Sequence, residues 1–193
     1  MSRVDNATFY NASITEHGLN ARGVHWHSSQ AQEIRFKQLL ALLPSDAKEI
    51  VDAGCGFGDL YWYMSDQQRA SMEYIGLDAL EVMVKEAQIR TAKAIYQCDI
   101  LNDELVKGDF YLCSGALNIL TRYEAHRFIR RCYDASNRGI IFNFLEGEDI
   151  STTYNCLQAS QIEALGNHLG ARLKFRTGYY KEDCTVAFYK DVN

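Results

Sequence analysis

The chain has little proline and no long apolar run. Pro44 is its single proline, and no segment is rich in serine and glycine, so a flexible linker between domains is not indicated. No apolar stretch approaches the roughly twenty residues of a membrane-spanning helix. The first six residues also lack the apolar segment of a signal peptide. Together with a length of 193 residues, these absences predict one globular domain in the cytoplasm.

Cysteine and histidine patterns typical of metal sites are also missing. None of the six cysteines forms a C-x-x-C pair, and several fall within predicted strands, so we expect reduced, buried thiols. His25 and His27 would share a face on a strand and could ligate a metal. No third ligand accompanies them, and no metal is expected.

The charge balance is acidic. The chain has 20 basic and 25 acidic residues, for a net charge of −5, which is not the pattern of a protein that grips nucleic acid. Four arginines gather around one predicted helix and its exit: Arg127, Arg130, Arg131 and Arg138. A solvated helix face is the favoured interpretation, and a contact with an anionic substrate or RNA is the alternative. We expect neither a nucleic-acid nor a membrane partner.

The most informative segment is the run from Val51 to Leu60. It predicts a strand end, a loop with glycines at 54, 56 and 58, and a helix start. Glycines at such a turn let the backbone approach a ligand closely. The spacing is G-x-G-x-G, whereas the dinucleotide fingerprint is G-x-G-x-x-G. Asp52 stands two residues before Gly54, and a carboxylate there suits a cationic ligand better than a phosphate.

Two further predicted strands end in acids. Met72–Asp78 is followed by Ala94–Ile100, which contains Asp99. A carboxylate at the end of such a strand can accept hydrogen bonds from ribose hydroxyls. The alternative is that each acid only caps the next helix.

These motifs together resemble class I S-adenosylmethionine-dependent methyltransferases of the small stand-alone type. The resemblance implies that S-adenosyl-L-methionine is the cofactor, with Asp78 on the ribose and Asp99 on the adenine amino group. Apolar neighbours would sandwich the adenine ring. The cofactor-binding residues expected on this basis are Arg35, Asp52, Gly54, Cys55, Gly56, Asp78, Ala79, Met83, Cys98, Asp99, Ile100 and Ser114.

Helices and strands alternate along most of the chain. A helix over Ser29–Leu43 precedes five strands, the last being Arg138–Phe144, and a helix over Cys156–His168 precedes strands at Ala171–Arg176 and Asp183–Tyr189. This order predicts an α/β fold with a doubly wound, seven-stranded, mostly parallel sheet and helices on both faces. The short connection between the last two strands requires an antiparallel hairpin. We expect a lid and helix over 1–47 and a Rossmann-like core over 48–193.

The N-terminal segment is expected to cover the cofactor. It carries the aromatic pair Phe9-Tyr10 and the segment His25-Trp26-His27. In the family that the chain resembles, an arginine on the following helix pairs with the methionyl carboxylate, and Arg35 is placed for that role. An ordinary surface arginine is the alternative.

The segment after the fourth strand, Ser114 to Asn118, is expected beside the transferred methyl group. It is not the Asn/Asp-Pro-Pro-Tyr/Phe motif of many DNA and protein amino-methyltransferases. The departure favours a small-molecule acceptor that is methylated on nitrogen or oxygen. Asn118 is the one weak candidate for a catalytic role, and it could equally cap the next helix. Tyr154, Tyr179 and Tyr180 fall on loops that border the substrate cavity in this fold.

Two other functions remain open. The first is a nicotinamide-dependent oxidoreductase on the same sheet plan, which Asp52 and the glycine spacing disfavour. The second is a protein that binds S-adenosylmethionine without catalysis.

Overall fold

The computed structural model describes residues 29–148 and 154–191. The helices within these ranges are α1 (Ser29–Leu42), α2 (Asp59–Tyr63), α3 (Asp66–Ser71), α4 (Glu81–Thr91), α5 (Arg122–Ala135) and α6 (Ala159–His168), with a 3-10 turn at Ala116–Ile119. The strands are β1 (Glu49–Ala53), β2 (Glu73–Asp78), β3 (Ala94–Gln97), β4 (Gly108–Cys113), β5 (Ser136–Glu146), β6 (Cys156–Leu157), β7 (Arg172–Arg176) and β8 (Asp183–Tyr189).

All strands join one sheet in the order β3-β2-β1-β4-β5-β8-β7, and β6 pairs with β5 outside this path. Neighbours from β3 to β5 run parallel, whereas β8 is antiparallel to both β5 and β7. The predicted α/β class, the parallel sheet and the terminal hairpin are therefore confirmed. The order reverses direction between β1 and β4, the point at which open α/β sheets bind ligands.

Two apolar layers cover the sheet. Leu39 of α1, Leu60 of α2 and Val84 of α4 pack on one face. Phe128 of α5 and Ile162 of α6 pack on the other. Strand residues contribute alternately to the two layers, as in Ile50 and Val51, because successive side chains point to opposite faces. Helices on both faces were predicted, and they are observed.

Several predicted boundaries are wrong. The sheet has eight strands rather than seven, because Cys156 and Leu157 pair with the end of β5 instead of starting a helix. These two residues form β6, and α6 begins only at Ala159. The third strand ends at Gln97, and turns rather than a helix lead from it to β4. There the Asp99 side chain accepts from the backbone N–H of Leu101, which closes a turn that extended backbone cannot form.

The cysteine prediction is consistent with the structure. Five cysteines are buried and unpaired: Cys55, Cys98, Cys113, Cys132 and Cys184. In residues 29–148 and 154–191, no three His, Cys, Asp or Glu side chains gather as a metal site would require. No helix in this part of the chain is long and apolar enough to cross a membrane. Phe9-Tyr10, His25 and His27, with the predicted lid, lie outside the described residues.

Candidate active site

The glycine loop after β1 adopts the conformation that its glycines permit. Gly54, Gly56 and Gly58 have φ angles of 81°, 54° and 80°, in the region that side chains disfavour. Gly54 also lies against the segment after β4: a Cβ added there would be 2.7 Å from the Cβ of Ala116. The loop after β1 and the loop after β4 therefore meet at the reversal point of the sheet.

The loop is held mainly by its own backbone. The N–H groups of Gly54 and Cys55 both donate to the carbonyl of Leu77, at 2.8 and 3.0 Å, and that of Gly58 donates to Cys55. The helix that follows, α2, has only five residues. The loop thus offers a close backbone approach, and the charge of the site comes from side chains.

Asp52 supplies one of these charges from a buried position on β1. Its side chain lies on β1 and the residue is 2% exposed, and Oδ2 accepts from the hydroxyl of Tyr74 at 2.7 Å. Burial raises the pKa of Asp52 to about 7, against the lowering effect of that hydrogen bond, and the nearby Asp78 and Asp59 raise it further. Acids that disfavour each other's ionisation form a region that attracts a cation and repels a phosphate.

Asp78 ends β2 and faces the glycine loop. Its Oδ2 accepts from the N–H of Gly56 at 2.9 Å, and its Oδ1 accepts from the N–H of Leu80 at 3.0 Å. Burial raises the pKa of Asp78, although these backbone hydrogen bonds act in the opposite direction. Each carboxylate oxygen can accept a second bond, so the residue fits a ligand with two hydroxyl donors while it also orders both loops.

Asp99 lies beyond the end of β3, the strand next to β2. Its Oδ1 accepts from the N–H of Leu101 at 2.9 Å and its Oδ2 accepts from Nδ2 of Asn102 at 2.7 Å. Asp99 therefore closes a turn and does not cap a helix, because no helix lies between β3 and β4. Asp99 remains partly exposed, which is compatible with a further bond to a ligand.

The apolar residues that the sequence predicts beside the adenine ring differ in solvent exposure. Met83, Cys98 and Ile100 are each less than 9% exposed, at 2%, 6% and 5%, whereas Ala79 is exposed. Asp78 and Asp99 are both partly exposed. The carboxyl ends of β2 and β3 thus combine apolar residues with accessible acids, which fits an aromatic ring with a polar edge.

Sequence reasoning missed Asn143, which holds the segment after β4 in place. Asn143 is 1% exposed on β5. Its Oδ1 accepts from the N–H of Gly115 at 3.1 Å, and its Nδ2 donates to Oγ of Ser114 at 3.2 Å. The available signal was a single polar residue within the apolar run Ile140–Phe144, since a buried carboxamide needs hydrogen-bond partners.

Asn118 does not cap the next helix. Thr121 caps α5, in a capping box with Glu124. Asn118 instead lies in the 3-10 turn, where its carbonyl accepts from the N–H of Asn155 at 2.6 Å and its Oδ1 is buried without a partner. The capping alternative is wrong.

Arg35 faces the sheet rather than the surface. It is 9% exposed, and its Nε donates to Oδ2 of Asp183 at 2.7 Å. Beside this pair, the hydroxyl of Tyr179 lies 2.6 Å from Oγ1 of Thr185. An ordinary surface role for Arg35 is excluded. Tyr154 and Tyr180 are half-buried on the loops where the sequence placed them.

Comparison with known proteins agrees with this geometry. Residues 50–139, from β1 to the start of β5, match the model of a family described as a methyltransferase domain. Over this segment the chain is similar to a methyltransferase domain. A search of curated proteins gave no match to its sequence.

Solved structures of methyltransferases share the fold of this chain at low identity. Magnesium protoporphyrin IX methyltransferase from Synechocystis PCC 6803, with bound SAH, has 19% identity and a TM-score of 0.66, over 96% of this chain and 95% of that one. The mitomycin 7-O-methyltransferase MmcR has 18% identity and a TM-score of 0.72, over 95% and 60%. The small RNA methyltransferase HEN1 has 16% identity and a TM-score of 0.65, over 85% and 25%. The acceptors that these names specify differ widely, so the shared fold does not identify an acceptor for this chain.

Proposed function

We propose that this protein transfers a methyl group from S-adenosyl-L-methionine to a nitrogen or oxygen of a small molecule. The observation that carries the proposal is the acidic cluster at the reversal point of the sheet, where Asp52 is buried beside Asp78 and Asp59 and where open α/β sheets form their ligand crevice. A sulfonium and an ammonium group would gain from that field, whereas the pyrophosphate of a dinucleotide would be repelled.

The residues that would hold the cofactor follow from their positions. Asp78 would accept from the ribose hydroxyls and Asp99 from the adenine amino group, with Met83, Cys98 and Ile100 supporting the ring. Arg35 would pair with the methionyl carboxylate. All of these assignments, with those expected for Ala79, Cys55 and Ser114, stay predictions.

The cofactor supplies an electrophilic methyl group, and the protein mainly supplies position and exclusion of water. The contact between Gly54 and Ala116 fixes the segment after β4 against the glycine loop. The hydrogen bonds of Asn143 fix the same segment to β5. An acceptor bound at this segment would therefore be held in one orientation.

The contacts of the four arginines around α5 favour a small-molecule acceptor rather than RNA. Arg131 donates from Nε to the carbonyl of Ile100 at 2.7 Å. Arg138 pairs with Asp46 at 2.9 Å, and Arg130 lies 3.9 Å from Asp134. These contacts match the solvated-face interpretation, because three of the four side chains serve the fold or pair locally. The net charge of −5 also disfavours binding to a phosphate backbone.

Calorimetric titration tests the cofactor. We expect S-adenosylhomocysteine to bind and NAD to give no heat, and Asp78→Ala to weaken binding by about a hundredfold, through the loss of two charge-assisted hydrogen bonds. Asp134→Ala, an exposed acid on α5, is the matched control and should bind as the wild type does. Binding of NAD in place of S-adenosylhomocysteine would favour the oxidoreductase.

A transfer assay tests the acceptor. The protein is incubated with methyl-labelled S-adenosylmethionine and, separately, with the small-molecule and RNA fractions of a cell extract. We expect label only in the small-molecule fraction, and label in RNA would refute the acceptor class. Tight cofactor binding with no labelled product in either fraction would favour a non-catalytic binder.

A further inference from the structure

Asn155 has an unusual environment. The residue is 5% exposed, and both polar atoms of its side chain, Oδ1 and Nδ2, are buried without a hydrogen-bond partner. A carboxamide left unpaired in this way destabilises a fold, because its desolvation is not compensated by hydrogen bonds. Proteins rarely keep such a group unless a ligand or an ordered water meets it.

A second unpaired oxygen lies nearby. The N–H of Asn155 donates to the carbonyl of Asn118 at 2.6 Å, so the two residues are neighbours, and Oδ1 of Asn118 is also buried without a partner. The buried, unpaired atoms of the two side chains are therefore two oxygen acceptors and one NH₂ donor.

The pair belongs to the edge of the sheet where ligands bind. Asn118 follows Ala116 by two residues, and Ala116 is the residue that approaches Gly54 of the glycine loop. Asn155 immediately precedes β6, which pairs with the end of β5 at Leu145 and Glu146. The carboxamide pair thus lies beyond the ends of β4 and β5, next to the crevice.

The donor and acceptor pattern selects a class of ligand. Two lone-pair oxygens disfavour a carboxylate, which brings no hydrogen to share. A primary amide or a lactam brings N–H donors and a carbonyl acceptor on one edge, and it can form two parallel hydrogen bonds with a carboxamide. Neutral hydrogen bonds of this kind also avoid the cost of burying a charge.

We infer that Asn155 and Asn118 bind a neutral amide or lactam group of the methyl acceptor and so orient the acceptor beside the transferred methyl. This inference rests on the proposed function for the role of the site, and it adds the substrate class. Both residues are positioning residues, because the chemistry at the methyl group does not require their protonation.

The test uses the side-chain amide signals of the full chain in NMR spectra. Benzamide is the probe, and benzoate and N,N-dimethylbenzamide are the matched controls that lack either neutrality or N–H donors. Titrations are run with and without S-adenosylhomocysteine. We expect benzamide to shift the Asn155 NH₂ signals, which are identified by their loss in Asn155→Ser, and we expect neither control to do so.

Two variants separate recognition from folding. Asn155→Leu replaces the unpaired carboxamide with an apolar side chain of similar size, so we expect Tm to rise by about 2–4 °C. Benzamide should bind it at least about tenfold more weakly. Asn137→Leu, an exposed asparagine at the opposite end of β5, is the control and should leave benzamide binding unchanged.

The results decide as follows. Equal shifts with benzoate, or no shift with benzamide, overturn the inference. Trapped water that satisfies the carboxamide would also overturn the inference. It would be indicated by a fall in Tm for Asn155→Leu together with no effect of benzamide on the Asn155 NH₂ signals of the wild type. Should Asn155→Leu fail to fold, the titrations of the wild type and Asn155→Ser still decide. Failure of S-adenosylhomocysteine to bind the wild type would instead refute the proposed function, since the benzamide titration does not depend on the cofactor.

Discussion

Arg35 on α1 donates from Nε to Oδ2 of Asp183, the first residue of β8, across 2.7 Å. The two side chains are 11% and 2% exposed, so the pair joins the helix to the antiparallel hairpin inside the protein. The contact spans 148 residues of sequence. It positions the arginine that the family resemblance assigns to the methionyl carboxylate.

Asp183→Asn tests this pair. The substitution keeps the size of the side chain but removes the buried negative charge that pairs with Arg35, and we expect the free energy of unfolding to fall by about 3 kcal/mol. If the pair also orients Arg35 for the cofactor, the Kd for S-adenosylhomocysteine should rise by about tenfold. Urea denaturation and calorimetry measure the two effects.

The matched control is the exposed pair of Arg138 and Asp46, whose N–O distance is 2.9 Å. Asp46→Asn should change neither stability nor cofactor binding measurably, because solvent screens the pair. Equal effects of Asp183→Asn and Asp46→Asn would contradict the prediction that the buried pair contributes more to stability and to cofactor binding than the exposed pair.

Asp52→Asn tests the cost of the buried acid. Burial raises the folded-state pKa of Asp52 to about 7 from an ordinary value of 3.8. The folded state therefore holds the proton more tightly than the unfolded chain, and stability falls as pH rises between these two values. The variant lacks this dependence and can still accept from the hydroxyl of Tyr74.

We expect Asp52→Asn to be more stable than the wild type by about 2 kcal/mol at pH 8 and to show a flatter curve of stability against pH. Its affinity for a cationic cofactor should nevertheless fall. Denaturation at several pH values, with calorimetry at pH 8, measures both. A variant that is less stable at pH 8 would show that the carboxylate stabilises the fold.

Gly54→Ala tests the contact between the two loops. The new Cβ would meet the Cβ of Ala116 at 2.7 Å, on a residue with φ of 81°. We expect both a loss of stability and a loss of cofactor binding, measured by thermal unfolding and calorimetry.

Gly178→Ala separates strain from collision. Gly178 has a similar φ of 73°, and a Cβ there would meet nothing within 4 Å. This control should lose only about 1–2 kcal/mol from backbone strain and bind the cofactor normally. The double variant Gly54→Ala with Ala116→Gly removes the collision and should recover part of the lost binding. No recovery would indicate that strain alone is responsible.

Asn143→Ala tests the link between β4 and β5. It removes both bonds to Ser114 and Gly115 and leaves a buried N–H unpaired, so we expect a loss of about 1–3 kcal/mol. We also expect kcat to fall more than cofactor affinity, because the segment from Ser114 to Asn118 loses its support. Asn137→Ala, on the exposed end of the same strand, should leave kcat and stability unchanged.

The local features of this chain could be predicted because they depend on neighbouring residues. The glycines of the loop after β1 predicted a turn with positive φ, and the short connection before Asp183 predicted a hairpin. Alternation of apolar strands with helices predicted the doubly wound sheet. The acid pattern at Asp52, Asp78 and Asp99 also predicts where a cationic cofactor would bind, and that assignment stays a prediction.

The contacts of the site could not be predicted, because they join residues that are distant in the sequence. Nothing local distinguishes Asp183 as the partner of Arg35, or Asn143 as the support of Gly115. The role of Asn118 was likewise ambiguous, since an asparagine before a helix often caps it, and only the geometry assigned the cap to Thr121.

The sequence by itself determined the fold class and the conformation of the glycine loop, because periodicity, turns and strand ends are encoded over a few residues each. Only the tertiary structure decided which polar groups are satisfied and which remain unpaired. Whether a buried carboxamide has a partner depends on the packing of distant segments around it, and no local pattern carries that information.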